Sequence, residues 1–292
     1  MAQRLDRAAE DVGSIVKLEH VNVLIPDQQA ATLFYIAGLG LTRDPYLMTS
    51  TDNMWVNVGA NQFHLPTGPA QRLRGVTGLV VPDRKALLRR LTAIRPILAG
   101  TCFAWHEAAD FVETTCPWGN RIRCHSPVAR FHPIFFGMPY VEFDVPGGTA
   151  AGIAAFYRRV LGAPANLAED RGGHEARVRV GPGQELVFRE TDTEIPAYDG
   201  HHIQIYVADF SGPYRRLDAL GLITQEDGRH QYRFVDIVDP DSGMPLFRIE
   251  HEVRSLTHPL YGRSLVNRNP AQTQQDYRPG RDAWPGSEAM PG

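Results

Sequence analysis

Four histidines stand on short extended runs: His20 in LEHVNVLIPD (18–27), His64 in NQFHLP (61–66), His125 in NRIRCH (120–125) and His202 in HIQIYVAD (202–209). Side chains on a strand alternate between its faces, so Asn22 and Leu24 accompany His20, and Gln62 and Pro66 accompany His64. Neutral imidazoles presented in this way suit zinc, iron, copper or nickel. Two further runs add carboxylates at alternating positions, with Tyr140, Glu142 and Asp144 on PYVEFDVP (139–146) and Arg248, Glu250 and Glu252 on LFRIEHEV (246–253). Glu142 or Glu252 could serve as a general base. Nucleophilic chemistry finds less support. Cys102, Cys116 and Cys124 form no C-x-x-C pair, and there is no G-x-S-x-G elbow. Neither GxGxxG nor GxxxxGK[ST] occurs, and GPGQE (181–185) lies between strands as a hairpin signal, so nucleotide cofactors are not expected.

The elements that would position these residues repeat. A β-α-β-β-β order begins with LEHVNVLIPD, continues through a helix ending at Gly40, and closes on NMWVNVG and NQFHLP. It recurs from GVTGLVVPD (75–83), from PYVEFDVP and from HIQIYVAD. Phe34-Tyr35 with Leu39-Gly40 matches Phe156-Tyr157 with Leu161-Gly162 at identical spacing, and Asp27, Asp83 and Asp209 align at strand ends. Counting back seven residues from each Asp gives His20, Val76 and His202, with Tyr140 in the corresponding place of the third copy.

On EHVNVLIPD with FYIAGLG, HHIQIYVAD, WGNRIR and GPGQELVFRE, the chain resembles the vicinal oxygen chelate superfamily, over about residues 16 to 253. That superfamily includes glyoxalase, extradiol dioxygenases, fosfomycin-modifying enzymes and bleomycin-binding proteins. The resemblance implies an α+β fold of four βαβββ modules, paired into two halves whose curved sheets enclose cavities. The expected division is a leader (1–15), an N-terminal half (16–127), a linker (128–137), a C-terminal half (138–253) and a polar arm or tail (254–292).

The resemblance also implies a divalent metal held by the first and last strands of two adjacent modules. In the N-terminal half this would use His20 and His64, with His125 as a third. In the C-terminal half it would follow the 2-His-1-carboxylate triad of the extradiol dioxygenases, with His202 and Glu250 in two ligand positions. Tyr140 stands where that family has its other histidine, so Tyr140 and Glu142 are expected as catalytic groups. The implied function is a metal-dependent enzyme acting on a small oxygenated organic substrate, dioxygenase-like first. Fe(II) is the favoured ion, with Zn, Ni or Mn as others. The alternatives are a glyoxalase-like lyase or isomerase, and a metal-free drug-sequestering protein of the same fold.

Composition bounds the partners. Thirty basic against 33 acidic residues, net −3, leave no nucleic-acid or anionic-membrane footprint. No apolar run approaches a membrane span, and MAQRLDRAAEDVG carries charges where a signal peptide needs an apolar stretch, so a cytoplasmic protein is expected. The expected partner is a small molecule, and the C-terminal arm could also embrace a second copy in a homodimer.

Overall fold

The computed structural model describes residues 6–47, 51–170 and 173–266. Each of the four modules forms. The first contains β1 (Ile15–Asn22), β2 (Thr42–Arg43), β3 (Asn53–Val58) and β4 (Asn61–Pro66). The second contains β5 (Gly75–Val80), β6 (Ala104–Glu107), β7 (Phe111–Thr115) and β8 (Arg121–His125). The third holds β9 (Gly137–Pro146), β10 (Ala165–Asp170), β11 (Gly173–Gly181) and β12 (Gln184–Thr191), and the fourth β13 (His202–Val207), β14 (Ile223–Glu226), β15 (Gln231–Val238) and β16 (Pro245–Ser255).

A helix follows the first strand of every module: α1 (Gln28–Ala31), α2 (Arg84–Ile94), α3 (Ala150–Phe156) and α4 (Ser211–Ala219). Asp27 and Asp83 start two of them, their carboxylates accepting from the first-turn N–H groups. Two of the three aligned aspartates are therefore N-caps, while Asp209 stands one residue before the Phe210 cap of α4 and accepts from Gly212 N–H. The repeated Phe-Tyr and Leu-Gly pairs mark a second device, since α1 and α3 each run into π-helical turns, Thr32–Gly38 and Tyr157–Leu161. Gly40 and Gly162 then end both at positive φ.

The modules do not pair in chain order. β1 lies antiparallel to β13, giving one eight-stranded sheet from the first and fourth modules, and β5 lies antiparallel to β9, giving a second from the second and third. The expected pairing of neighbours within 16–127 and within 138–253 is thus replaced by an interleaved one. Buried amides join the two sheets. Gln184 Nε2 donates to the carbonyls of Leu18 and Met138, and Asn61 donates to Leu18 while accepting from Met138 N–H. Gly59, at φ +60, permits the same approach, because a Cβ there would lie 1.8 Å from the Phe136 carbonyl oxygen.

Alternation along β1 does what the sequence demands. Val21 joins the apolar core with Phe34, Tyr35 and Phe63, while His20 and Asn22 take the other face. The arm returns over the first sheet: Arg263 pairs with the buried Asp44, Nη2 to Oδ2 2.8 Å, Asn57 donates to the Val266 carbonyl, and the Tyr261 ring meets Tyr206 edge-on. The rest of the expected arm or tail lies outside the described residues, as does part of the strand candidate 41–50.

Candidate metal centre

The interleaved first sheet brings His20 of β1, His64 of β4 and His202 of β13 together, with a potential ligand nitrogen of each within 4.8 Å of the others. Ligands sharing one ion at about 2.1 Å lie roughly 3–3.4 Å apart, so side-chain rotations on the order of 1 Å would close the set. His20 is fully buried and neither of its ring nitrogens has a hydrogen-bond partner; His202 Nε2 is likewise buried and unpartnered. Such orphaned groups cost free energy in a folded protein unless something completes them. A cation fits the donor set.

The surroundings orient the rings. His64 Nε2 lies 2.8 Å from Asn53 Oδ1, an acceptor, which makes Nε2 the protonated nitrogen and leaves Nδ1 with a lone pair that accepts from Asn22 Nδ2 at 3.4 Å. Trp55 stacks on the same ring at 3.8 Å. Burial, with His20 and His202 beside it, pushes the His64 imidazole down to about 2, and burial also holds His20 below its usual value against the opposing pull of Glu19 and Glu252. Both rings are therefore neutral near pH 7, the form that ligates.

The carboxylates come from β16. Its parallel register sets Glu250 beside His202 and Glu252 beside Gln204, just as β4 sets Gln62 beside His20 and His64 beside Asn22. Glu252 is thus the structural counterpart of His64. Its Oε2 lies 3.6 Å from His202 Nε2, close to the separation of two neighbouring ligands, whereas Glu250 Oε1 lies 3.4 Å from His202 Nδ1, on the far side of the ring. Glu250, expected as a ligand, thus faces His202 Nδ1, and Glu252 faces His202 Nε2. Glu250 does keep the inward face, because the buried His251 between the two glutamates takes the opposite one, bonded to Tyr157 Oη at 2.6 Å and stacked on Phe234.

Two arginines hold these acids. Arg233 pairs with both Glu250 and Glu252, and Arg254 Nη2 lies 2.5 Å from Glu252 Oε1. Burial raises the Glu252 carboxyl, but His202, His20, Arg254 and Arg233 together outweigh it and hold the group well below the usual carboxylate range. Gln204, whose amide N and O are both buried without partners, and Tyr206, whose hydroxyl is also unpartnered, complete the inward face of β13.

The remaining expected residues belong to the second sheet. His125, Tyr140 and Glu142 lie on β8 and β9, away from the histidine cluster, so Tyr140 and Glu142 do not join His202 and Glu250 as the C-terminal-half reading required, nor does His125 join His20. The separation follows from the interleaved pairing. Among the described residues, His20, His64 and His202 form the group suited to an ion.

Four βαβββ modules paired into two eight-stranded sheets make up the vicinal oxygen chelate fold, and this chain has it. Glyoxalase I from Zea mays superposes with a TM-score of 0.56 at 13% identity, over 82% of this chain and 92% of that one. A candidate dioxygenase from Bacillus subtilis gives 0.54 at 16%, over 84% and 86%. The cppA protein of Streptococcus pneumoniae gives 0.51 at 10%, over 84% and 100%. No family model and no curated protein matches the sequence.

Proposed function

We propose that the chain is a metal-dependent enzyme that takes a small oxygenated organic substrate by two neighbouring oxygens, with His20, His64, His202 and Glu252 as the ligands of a divalent ion. The observation that carries this reading is the trio of imidazoles from three strands, His20 and His202 buried and His64 half-buried, with both nitrogens of His20 and Nε2 of His202 unpartnered. Four protein ligands on a six-coordinate ion leave two positions, enough for vicinal oxygens, and the bound ion would supply Lewis-acid polarisation of them. Glu250 holds the His202 ring from Nδ1, and Asn53 fixes the His64 tautomer. The Gln204 amide keeps unspent hydrogen-bonding capacity on the inward face, and burial with the Glu19 carboxylate beside it raises the Tyr206 hydroxyl above its ordinary value, so it keeps its proton. This supports proton-transfer chemistry of the lyase or isomerase type.

A dioxygenase-like reading is favoured by one observation. Both Glu252 oxygens are paired with arginines. If they stay so, three histidines alone ligate and a third position is free for dioxygen, with Fe(II) as the natural ion. The experiment is elemental analysis of the native protein and of His20→Ala, His64→Ala and His202→Ala at matched folding, followed by oxygen uptake with catechol. Stoichiometric metal lost in each variant supports the centre, and uptake of oxygen would replace the lyase reading by the dioxygenase one. Absence of metal before and after reconstitution would leave a metal-free binding protein and end the proposal.

A further inference from the structure

The second sheet repeats the register of the first with different chemistry. β5 sets Val76 beside Arg121 and Gly78 beside Arg123, β9 sets Tyr140 beside Glu185 and Glu142 beside Val187, and Gly78 faces Tyr140 as Asn22 faces His202. The four ligand positions of the first sheet are therefore occupied here by Val76, Arg123, Tyr140 and Val187. Arg123, Tyr140 and Val187 line a cavity of about 780 Å³ whose walls also include Phe111, His125 and Phe131.

A chain of hydrogen bonds in this cavity has a fixed direction. Arg130 Nη2 lies 3.1 Å from His125 Nδ1, and His125 Nε2 lies 2.9 Å from Tyr140 Oη. A guanidinium only donates, so Nδ1 accepts, Nε2 carries the ring hydrogen and gives it to the phenol oxygen, and the Tyr140 O–H is left to donate into the cavity. Burial, aided by Arg130, lowers His125 to about 4, and burial raises Tyr140 to about 12, so both keep these roles across the neutral range. Space for the phenol is reserved on β5, where a Cβ at Gly78 would lie 2.3 Å from the Tyr140 ring.

The charges of the sheet floor are already matched. Arg123 pairs with Glu113 and Glu142, and Arg189 with Glu142 and Glu175. Arg130 differs: among the described residues its contacts are the neutral His125 and the Phe131 face, 4.5 Å from the ring centre, and no carboxylate pairs with it. Phe111 and Phe131 both pack on His125. One end of the cavity thus combines a cation without an ion pair, an outward O–H donor and aromatic walls, with Asp110 on the same lining beside Phe111.

We propose that this cavity is a second, metal-free ligand site for a small aromatic carboxylate, whose anionic oxygen accepts the Tyr140 hydrogen beside Arg130 and whose ring packs against Phe111 and Phe131. The assignment does not depend on the metal centre. The test is calorimetric titration of the full-length protein with benzoate, and with benzyl alcohol as the uncharged counterpart, on the parent and on Tyr140→Phe, Arg130→Gln, Gly78→Ala and His202→Ala, each with its thermal midpoint measured. Expected are benzoate binding at least tenfold tighter than benzyl alcohol, a loss of tenfold or more in Tyr140→Phe and Arg130→Gln, a similar loss in Gly78→Ala through displacement of the ring, and unchanged affinity in His202→Ala. Benzoate binding that survives Tyr140→Phe and Arg130→Gln but disappears in His202→Ala would place it at the metal centre and overturn the proposal. No binding at millimolar benzoate to the folded parent would overturn it as well.

Discussion

Replacing His20 by leucine should stabilise the protein without metal and forfeit that advantage with metal. The ring is fully buried and neither nitrogen has a hydrogen-bond partner; the nearest Glu19 oxygen, 3.8 Å from Nδ1, is too distant to bond. A neutral imidazole brings one donor and one acceptor, and an unsatisfied buried polar group costs about 1–3 kcal/mol. Leucine is of similar volume and brings neither, so chelator-treated His20→Leu should exceed the chelator-treated parent by about 1–3 kcal/mol. A metal at a hundred times its dissociation constant adds about 2.7 kcal/mol to the parent, most of which the variant, lacking a ligand, would forgo. The order of the two proteins then inverts or closes on metal addition. Urea unfolding in chelator and in excess metal measures all four stabilities. If metal-free His20→Leu is weaker than the parent by more than about 1 kcal/mol, or both proteins respond equally to metal, His20 is a satisfied structural residue and the reasoning fails.

Glu250→Gln keeps the shape beside His202 Nδ1 but removes the charge, and metal affinity should fall by about 10–100-fold, read from competition with a coloured chelator. Burial lowers His251 from 6.5 to about 3, so its proton is bound by the unfolded chain and not by the fold across that interval; its contribution is complete above about pH 6.5 and is lost as pH falls toward 3. Urea stabilities at pH 6 and pH 4.5 should therefore diverge less in Tyr157→Phe/His251→Leu than in the parent, by about one proton's slope of roughly 1.4 kcal/mol per pH unit, and an equal slope would reject the assignment. Arg263→Ala leaves the buried Asp44 with Gln62 and two backbone N–H donors; a loss of about 1–3 kcal/mol at neutral pH and faster proteolytic cleavage of the arm are expected, and an unchanged cleavage rate would show that this ion pair does not hold the arm down.

The modules, their helices and the inward faces of β1, β4 and β13 were legible because each is local: an N-cap Asp, an alternating strand and a Phe-Tyr to Leu-Gly spacing act over a dozen residues. Which modules share a sheet is decided by β1 meeting β13 across most of the chain, and the connecting segments 67–74, 126–136 and 192–201 are too alike in length to choose between partners. The placement of Glu250 and Glu252 was obscured by the hairpin before β16, yet the first module already held the answer. His64 stands two residues beyond the neighbour of His20, and applying that offset to His202 selects Glu252. The same offset applied to Val76 and Tyr140 selects Arg123 and Val187, so a duplicated register delivers four converging side chains in either sheet. Register fixes where each Cβ points and leaves its chemistry open. Three imidazoles and a carboxylate at those positions form an electron-pair donor set that calls for a cation, whereas a valine pair with an arginine and a phenol forms none and leaves the phenol free to donate a proton bond. The two sheets therefore differ in what they can bind for a reason visible only when all four positions are read together.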